Sequence, residues 1–420
     1  MIDLIIVPCI AIGFLLGAIS GLTPGLHVNN FASMLLALSP MLMDKGLLPY
    51  HVASMILAAS ISQTFFDTIP AILIGAPDAD TALSVLPGHS LVLEGRAVEA
   101  VRLSALGSVG SITFALLLVY PLSAIFSSCY SYLMKYIGVF LMGIALLMIK
   151  NEMGPQIEGQ GSLVHLKYKA LATLLFATSG FLGLFALNHQ DLFQSPLGLE
   201  PQALLPLLSG IFGASFLILS LYSESKIPDQ TETEMKITLN SLTKSIIAGG
   251  FGGSVVAWIP GISPAVATIT MRLGVPSSAE EFLVSIAGVN TSNALFSLVA
   301  LYAVGRPRSG AVVAIQKLIT VDQNTLLQMM IMIVVVAAMS YIAVIASARF
   351  AARVIPRLNY RMLCLCVLAG LTVMCLVFTG WFGLFIFFLS TIVGLVAPVV
   401  GIHKTHAMGV LMLPLIVHYI

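Results

Sequence analysis

Charge is scarce in this chain. Only 9% of its 420 residues are Asp, Glu, Lys or Arg, where a soluble domain carries about 25%. Hydrophobic residues make up 58% and the mean hydropathy is +1.03. So few charges cannot cover a globule with solvated side chains, which excludes a soluble fold and predicts a polytopic, all-α membrane protein. The net charge of +1 offers no polyanion-binding face and argues against a nucleic-acid partner. The five cysteines (9, 129, 364, 366 and 375) all lie in apolar runs. Cys364 and Cys366 would point about 200° apart on a helix, so buried or lipid-facing thiols are expected rather than a metal site. The segment after Met1-Ile-Asp3 lacks a basic region and a small-residue cleavage site, and is read as part of the mature protein. Catalytic signatures are missing too: there is no Gly-x-Ser-x-Gly, His-Glu-x-x-His, Cys-x-x-Cys or Walker loop. Without a nucleotide loop, transport would run on an ion gradient or passively, with no cofactor or metal and with H⁺ or Na⁺ as the coupling ion.

What is present is one pattern written twice. The first copy, Gly13-Phe-Leu-Leu-Gly17-Ala-Ile-Ser-Gly-Leu-Thr23-Pro24-Gly25-Leu-His27-Val-Asn29-Asn30, returns as Gly249-Gly-Phe-Gly-Gly253-Ser-Val-Val-Ala-Trp-Ile-Pro260-Gly261-Ile-Ser263-Pro264. Gly13, Gly17, Pro24 and Gly25 fall on Gly249, Gly253, Pro260 and Gly261 at one constant offset. Pro removes a backbone donor and Gly tolerates positive φ, so Pro-Gly breaks a helix sharply. Inside a membrane the freed polar groups must face protein or a wet cavity. The same break in both halves points to a transporter's binding site. The alternative is a pair of structural kinks.

Apolar segments run at about 4–22, 26–43, 51–75, 98–125, 132–149, 168–188, 203–222, 245–258, 262–274, 280–304, 309–348 (in two pieces), 361–379, 381–399 and 403–420. A span takes about 20 residues, and the arms beside each Pro-Gly are too short. Two re-entrant hairpins are therefore expected, at about 4–43 and 245–274. Arg349, Arg353, Arg357 and Arg361 crowd one loop, Lys150, Lys167 and Lys169 another, and Lys226, Lys236 and Lys244 a third. Placing all three loops in the cytoplasm makes the hairpins open to opposite sides, which predicts inverted repeats over 1–222 and 245–420 joined by the polar linker 223–244. Residues 58–77 also match 288–307: Ser62, Phe66, Gly75 and Pro77 fall on Ser292, Phe296, Gly305 and Pro307, and Gln63 falls on Asn293.

Polar side chains inside apolar segments are costly and are functional candidates by default. Candidate substrate contacts are Thr23, Pro24, Gly25, His27, Asn29, Asn30, Ser62, Gln63, Pro260, Gly261, Ser263, Asn290, Thr291 and Asn293. They offer donors and acceptors with little charge, and a helix starting after each break adds N–H groups for a carboxylate or phosphate. The alternative for each is a hydrogen bond that joins two membrane helices, and for His27 a satisfied core histidine. Asp67 is the acid well inside an apolar segment and the candidate carrier of H⁺ or Na⁺. Its alternative is a helix-end Asp near the interface, since Pro70 follows. Asp78 and Asp80 read as turn or cap residues.

Taken together, these residues resemble the TctA family, the large membrane subunit of tripartite tricarboxylate transporters, and in particular its stand-alone archaeal-type members. The resemblance rests on Gly21–Gly25 and its second copy ending Pro260-Gly261. It rests also on Gly75-Ala-Pro77-Asp-Ala-Asp-Thr81-Ala, on Leu86-Pro-Gly88-His89-Ser, on Glu94-Gly95-Arg96-Ala97 and on Asn290–Asn293. Gly88-His89-Ser90 stands where the family has Gly-Tyr-Pro, Gly305-Arg306-Pro307-Arg308 is more basic than usual, and the first loop carries His27-Val-Asn29. The resemblance implies a multi-pass plasma-membrane transporter with substrate held between two hairpin tips. It also implies a secreted binding protein and a small membrane subunit as partners; a homo-oligomer is a further candidate. Three functions stand open: a transporter of small organic anions, a polyprenyl-phosphate lipid translocator, and an intramembrane enzyme on lipid-linked substrates using His27 and Asp67.

Overall fold

A computed structural model describes residues 4–23, 28–74, 85–152, 154, 162–196, 203–222, 228–232, 234–259, 264–271, 278–307, 309–354 and 359–420. The described residues are helical throughout their ordered elements. In the first half α1 (Ile6–Leu22) and α2 (Val28–Asp44) precede α3 (Pro49–Phe66), α4 (Thr68–Leu73), α5 (Val85–Leu93), α6 (Ala97–Lys150) and α7 (Ser162–Asn188). Next come α8 (Leu204–Leu208), a π turn (Ser209–Ala214) and α9 (Ser215–Tyr222). The second half runs α10 (Leu239–Trp258), α11 (Pro264–Met271), α12 (Ala279–Val304), α13 (Gly310–Leu318), α14 (Gln323–Val354), α15 (Tyr360–Val400) and α16 (Gly409–Tyr419). Six segments are long and apolar enough to cross a bilayer: 49–73, 97–130, 165–188, 279–304, 323–354 and 364–400. The protein is an integral, multi-pass membrane protein.

Two of the six differ from the others. Over its most apolar window the 49–73 segment (α3 with α4) is 100% buried inside the protein, and α12 is 89% buried, against 28–44% for the remaining four. These two segments hold residues 58–73 and 288–304 of the matched stretches, so the helices that resemble each other in sequence are the interior ones. Their environment explains why they tolerate so many polar residues: every face meets protein. Around them the packing is reciprocal. α1 lies on α3 and α10 on α12; α3 packs against α13 and α14, and α12 against α5 and α6.

Close approach is achieved with glycine. A Cβ on Gly17 would run into the Ala59 carbonyl and Ser62 Cβ, and one on Gly253 into Val289 O and Ser292 Oγ. Ala59 and Ser62 precede Val289 and Ser292 by the same number of residues, so the two glycine contacts are copies of each other.

Three expected boundaries change. The segments at 98–125 and 132–149 form one helix, Ala97–Lys150. The serine-rich run between them is helical, and Ser127 and Ser128 satisfy their hydroxyls on the carbonyls of Ser123 and Ala124 one turn earlier, at 2.6 and 2.8 Å. At about 80 Å this helix is longer than a bilayer is thick; its first part packs in one apolar core and its last turns, from Ile137 to Met148, in a second. α10 begins at Leu239, inside the stretch expected to be linker, because Thr238 caps it by accepting from Ser241 N at 3.2 Å. The 203–222 segment is not a regular helix but is widened by the π turn. By contrast, the expected break near 380 is present: Gly380 has φ 70° and ψ −165° inside α15, and the Gln194 carbonyl approaches where a Cβ would sit.

The described linker lies against the α5–α6 junction. Thr231 N donates to Gly95 O at 2.9 Å, Gln230 bridges Val92 O and Ala97 N, and Lys236 N donates to Glu99 Oε1 at 2.8 Å. Glu99 is fully buried, and Arg96 grips it with two N–H groups at 2.7 and 2.8 Å while also reaching Glu94 and Glu280. A fork of donors on buried carboxylates keeps Arg96 charged, its pKa raised first by the Glu99 contact. The Gly95-Arg96-Ala97 stretch thus ties α6, the linker and the first turn of α12 together.

Candidate functional site

The two interior helices meet through one polar contact. Asn290 Nδ2 on α12 donates to Asp67 Oδ2 at 2.9 Å, and both side chains are 3% exposed. Asp67 sits where α3 passes into α4. Pro70 has no N–H for the Phe66 carbonyl, which loosens the helix there, yet the chain stays helical to Leu73. Asp67 is thus the junction residue of α3 and α4, buried within the membrane-length segment 49–73. α1 ends against it, since a Cβ on Gly21 would meet Asp67 N, Phe66 Cβ and Gln63 O. Thr23 terminates α1 in an extended conformation, its N–H bonded to Ile19 O and Ser20 O. The first break thus begins beside Gln63 and Asp67.

Pro24, Gly25 and His27, like Pro260, Gly261 and Ser263, lie outside the described residues. Asn30 falls in the first turn of α2.

Other polar side chains of these segments make hydrogen bonds within the fold, as the alternative reading of helix-joining contacts describes. Ser62 Oγ donates to Phe14 O on α1 at 2.9 Å, and Ser292 Oγ bonds Gly249 O on α10 at 3.0 Å. Each serine closes the same helix pair in its own half. Thr291 Oγ1 lies 2.8 Å from Ser108 Oγ on α6 and 3.0 Å from Ala287 O. Asn29 Oδ1 accepts from Ala311 N at 3.1 Å and so caps α13, a helix of the other half. A short hydroxyl or amide packed between helices finds an acceptor or donor within reach, and Ser292 also has Gly288 O of its own helix at 2.6 Å. Gln63 is buried beside the end of α1, and Asn293 is partly exposed and accepts from Ser297 Oγ at 3.4 Å.

Sequence reasoning passed over two features. Trp258 ends α10 just before the second break, is fully buried, stacks on Phe126 at 5.1 Å, and its indole N–H finds no hydrogen-bond partner among the described residues. The other is a carboxylate–histidine corner at Glu152, His403 and His406. Its sequence signal was the His403-Lys-Thr-His406 spacing in a short loop between apolar segments, far in sequence from the acid it meets.

The family model described as "Tripartite tricarboxylate transporter TctA family" matches residues 7–409, nearly the whole chain. An uncharacterized protein of Methanocaldococcus jannaschii, MJ1079, is 25% identical over 415 residues, covering 97% of this chain and 98% of its own length. No solved structure matches. Six membrane-length segments, two buried polar helices and a match from end to end agree: the chain belongs to the TctA family of tripartite tricarboxylate transporters.

Proposed function

We propose that the chain is the permease of a secondary transporter for small organic anions of the carboxylate class, driven by an H⁺ or Na⁺ gradient. The carrying observation is the Asp67–Asn290 contact, which joins the two interior helices next to the point where α1 ends. A carboxylate substrate would lie between the two Pro-Gly breaks, taking N–H groups from the helices that follow them and amide contacts from Gln63 and Asn293. A site that holds an anion through neutral donors beside an acid needs a co-transported cation for charge balance.

The reciprocal packing of α3 with α13 and α14, and of α12 with α5 and α6, supports a two-fold relation between the halves. Inverted topology and re-entrant hairpins belong to this proposal. So do a soluble binding protein and a small membrane subunit, which the tripartite family description supports as partners. The test is binding of a panel of mono-, di- and tricarboxylates and of polyprenyl phosphates to the purified protein. Saturable binding of a carboxylate that Gln63→Ala and Asn293→Ala weaken upholds the proposal. Binding of polyprenyl phosphate alone would replace it with lipid translocation.

A further inference from the structure

Glu152 follows the end of α6 and is 1% exposed, yet among the described residues it carries no lysine or arginine partner. Four N–H groups converge on it. Oε1 accepts from Gly154 N at 2.8 Å; Oε2 faces His403 N at 3.0 Å, His403 Nδ1 at 2.9 Å and His406 Nε2 at 2.8 Å. The two imidazoles share one oxygen but differ in access: the His403 side chain is 70% exposed and that of His406 only 2%. With Nε2–H directed at Glu152, Nδ1 of His406 is a buried lone pair, and it has no partner among the described residues. A buried base held against a buried carboxylate, covered by one exposed imidazole, is the arrangement of a site that takes up a proton. The corner lies outside the six spans, just past the end of α6.

The surrounding charges leave this pair to itself. Lys404 turns the other way, donating to Ser215 Oγ at 2.7 Å and to the Phe212 carbonyl of the π turn at 3.3 Å. On α7 the ring beside Gly154 is that of Tyr168, and the groups acting electrostatically on His406 are Glu152 and His403. Burial lowers the His406 imidazole below its ordinary value against the pull of Glu152, so in this conformation it is neutral. Burial alone would raise the Glu152 carboxyl; the N–H groups outweigh it and hold the acid at about 2, so it is ionised.

We propose that Glu152 and His406 form a proton-binding site, with His403 as its positioning residue and cover, and that the proton taken there is the coupling ion of the transport reaction proposed above. The step balances simply. A water or hydronium O–H breaks, an N–H forms at His406 Nδ1, and the pair changes from one negative charge to none. Coupling requires a group whose proton affinity differs between conformations, and a base desolvated here that becomes hydrated when the corner opens has that property. The second claim rests on the transport reading; the first does not.

The experiment has two arms, both on the full chain. In detergent, exchange of the histidine ring C2 hydrogens with D₂O is followed against pH by mass spectrometry. His406 is expected to titrate with a midpoint below the ordinary histidine value of about 6.5, and Glu152→Gln to lower it further by about one pH unit or more. Absence of a His406 titration between about pH 4 and 8, or an unmoved midpoint in Glu152→Gln, overturns the site. In proteoliposomes, labelled citrate uptake driven by a pH gradient is compared with citrate–citrate exchange, which needs no net proton. His406→Gln, whose amide still donates to Glu152, is expected to keep exchange and lose about ten-fold of the gradient-driven uptake. Undiminished gradient-driven uptake overturns the coupling role. A wild-type protein that moves no citrate counts against the transport reading and leaves the proton site to be judged on the first arm.

Discussion

Asn290 on α12 donates its amide hydrogen to the carboxylate of Asp67, 2.9 Å away and 223 positions earlier in the chain. An acid this deep in a membrane-length helix is tolerable only with such a donor, or with a proton or cation. Asn290→Leu removes the donor and leaves the carboxylate with less compensation. We expect it to destabilise the protein by about 1–3 kcal/mol, read as a lower melting temperature in detergent. Asp67→Asn preserves shape and an acceptor for Asn290. It should melt close to wild type while losing transport; full transport in that variant would remove Asp67 from the mechanism.

The matched serines and the matched amides should separate in the same assays. Ser62 and Ser292 each bond a backbone carbonyl of the adjacent helix. Their Ala variants should lose about 0.6–1.7 kcal/mol of stability and retain affinity for whichever carboxylate binds. Gln63→Ala and Asn293→Ala should show the reverse, with affinity weakened about ten-fold and ligand-free melting little changed, since a hydrogen bond to a charged ligand contributes about 1.5–3 kcal/mol. Loss of melting temperature without loss of affinity in both amide variants would leave the Pro-Gly breaks as the candidate site.

Glycine positions offer an internal control. Gly17→Ala and Gly253→Ala would drive a methyl into backbone or side-chain atoms of the interior helices and should cost about 1–3 kcal/mol each. Gly143 and Gly370 lie in α6 and α15 with nothing near the place a Cβ would take. Their Ala variants should be neutral or stabilised by up to about 1 kcal/mol through helix propensity. Equal losses at all four positions would mean that the tight α1–α3 and α10–α12 contacts do not matter to stability.

The membrane class and the helix list were legible because a chain with so little charge and such long apolar runs is soluble in little besides a bilayer. The pairing of α1 with α3 and of α10 with α12 was foreshadowed by the repeated spacing of Gly13, Gly17, Gly249 and Gly253. The site was less legible. Ser62, Thr291 and Asn29 look like ligand groups in sequence because a polar residue in an apolar run is costly wherever it points. Only the structure shows that each meets a neighbouring helix first. The Asp67–Asn290 pair was visible as two candidates but not as a contact, since no local periodicity encodes a meeting between the two halves. The meeting of Glu152 with His406 was hidden for the same reason: the two lie 254 positions apart, and the buried pair exists only once the turn after α15 packs on the end of α6.

That corner also predicts how stability follows pH, because its groups shift in one sense. The N–H groups around Glu152 hold its acid form at about 2, below the ordinary carboxylate value, so its contribution is present above about pH 4.5 and is lost as the pH falls toward 2. His406 is lowered by burial, so the unfolded chain binds the proton first and stability falls as the pH drops below the ordinary histidine value of about 6.5. Burial likewise lowers Lys404 to about 7 from 10.5, so the unfolded chain holds the extra proton between those values and stability rises with pH across that window. The melting temperature should therefore climb from acid through neutral to mildly alkaline pH. His406→Gln should flatten the limb below about pH 6.5. Lys404→Met should flatten the limb above about pH 7, since it removes the ammonium that stands over the Phe212 ring. Differential scanning fluorimetry of the three proteins at constant ionic strength decides it. A wild-type profile that falls from pH 7 to 9, or a Lys404→Met profile that retains the alkaline rise, would show that Lys404 is hydrated and charged in the folded protein.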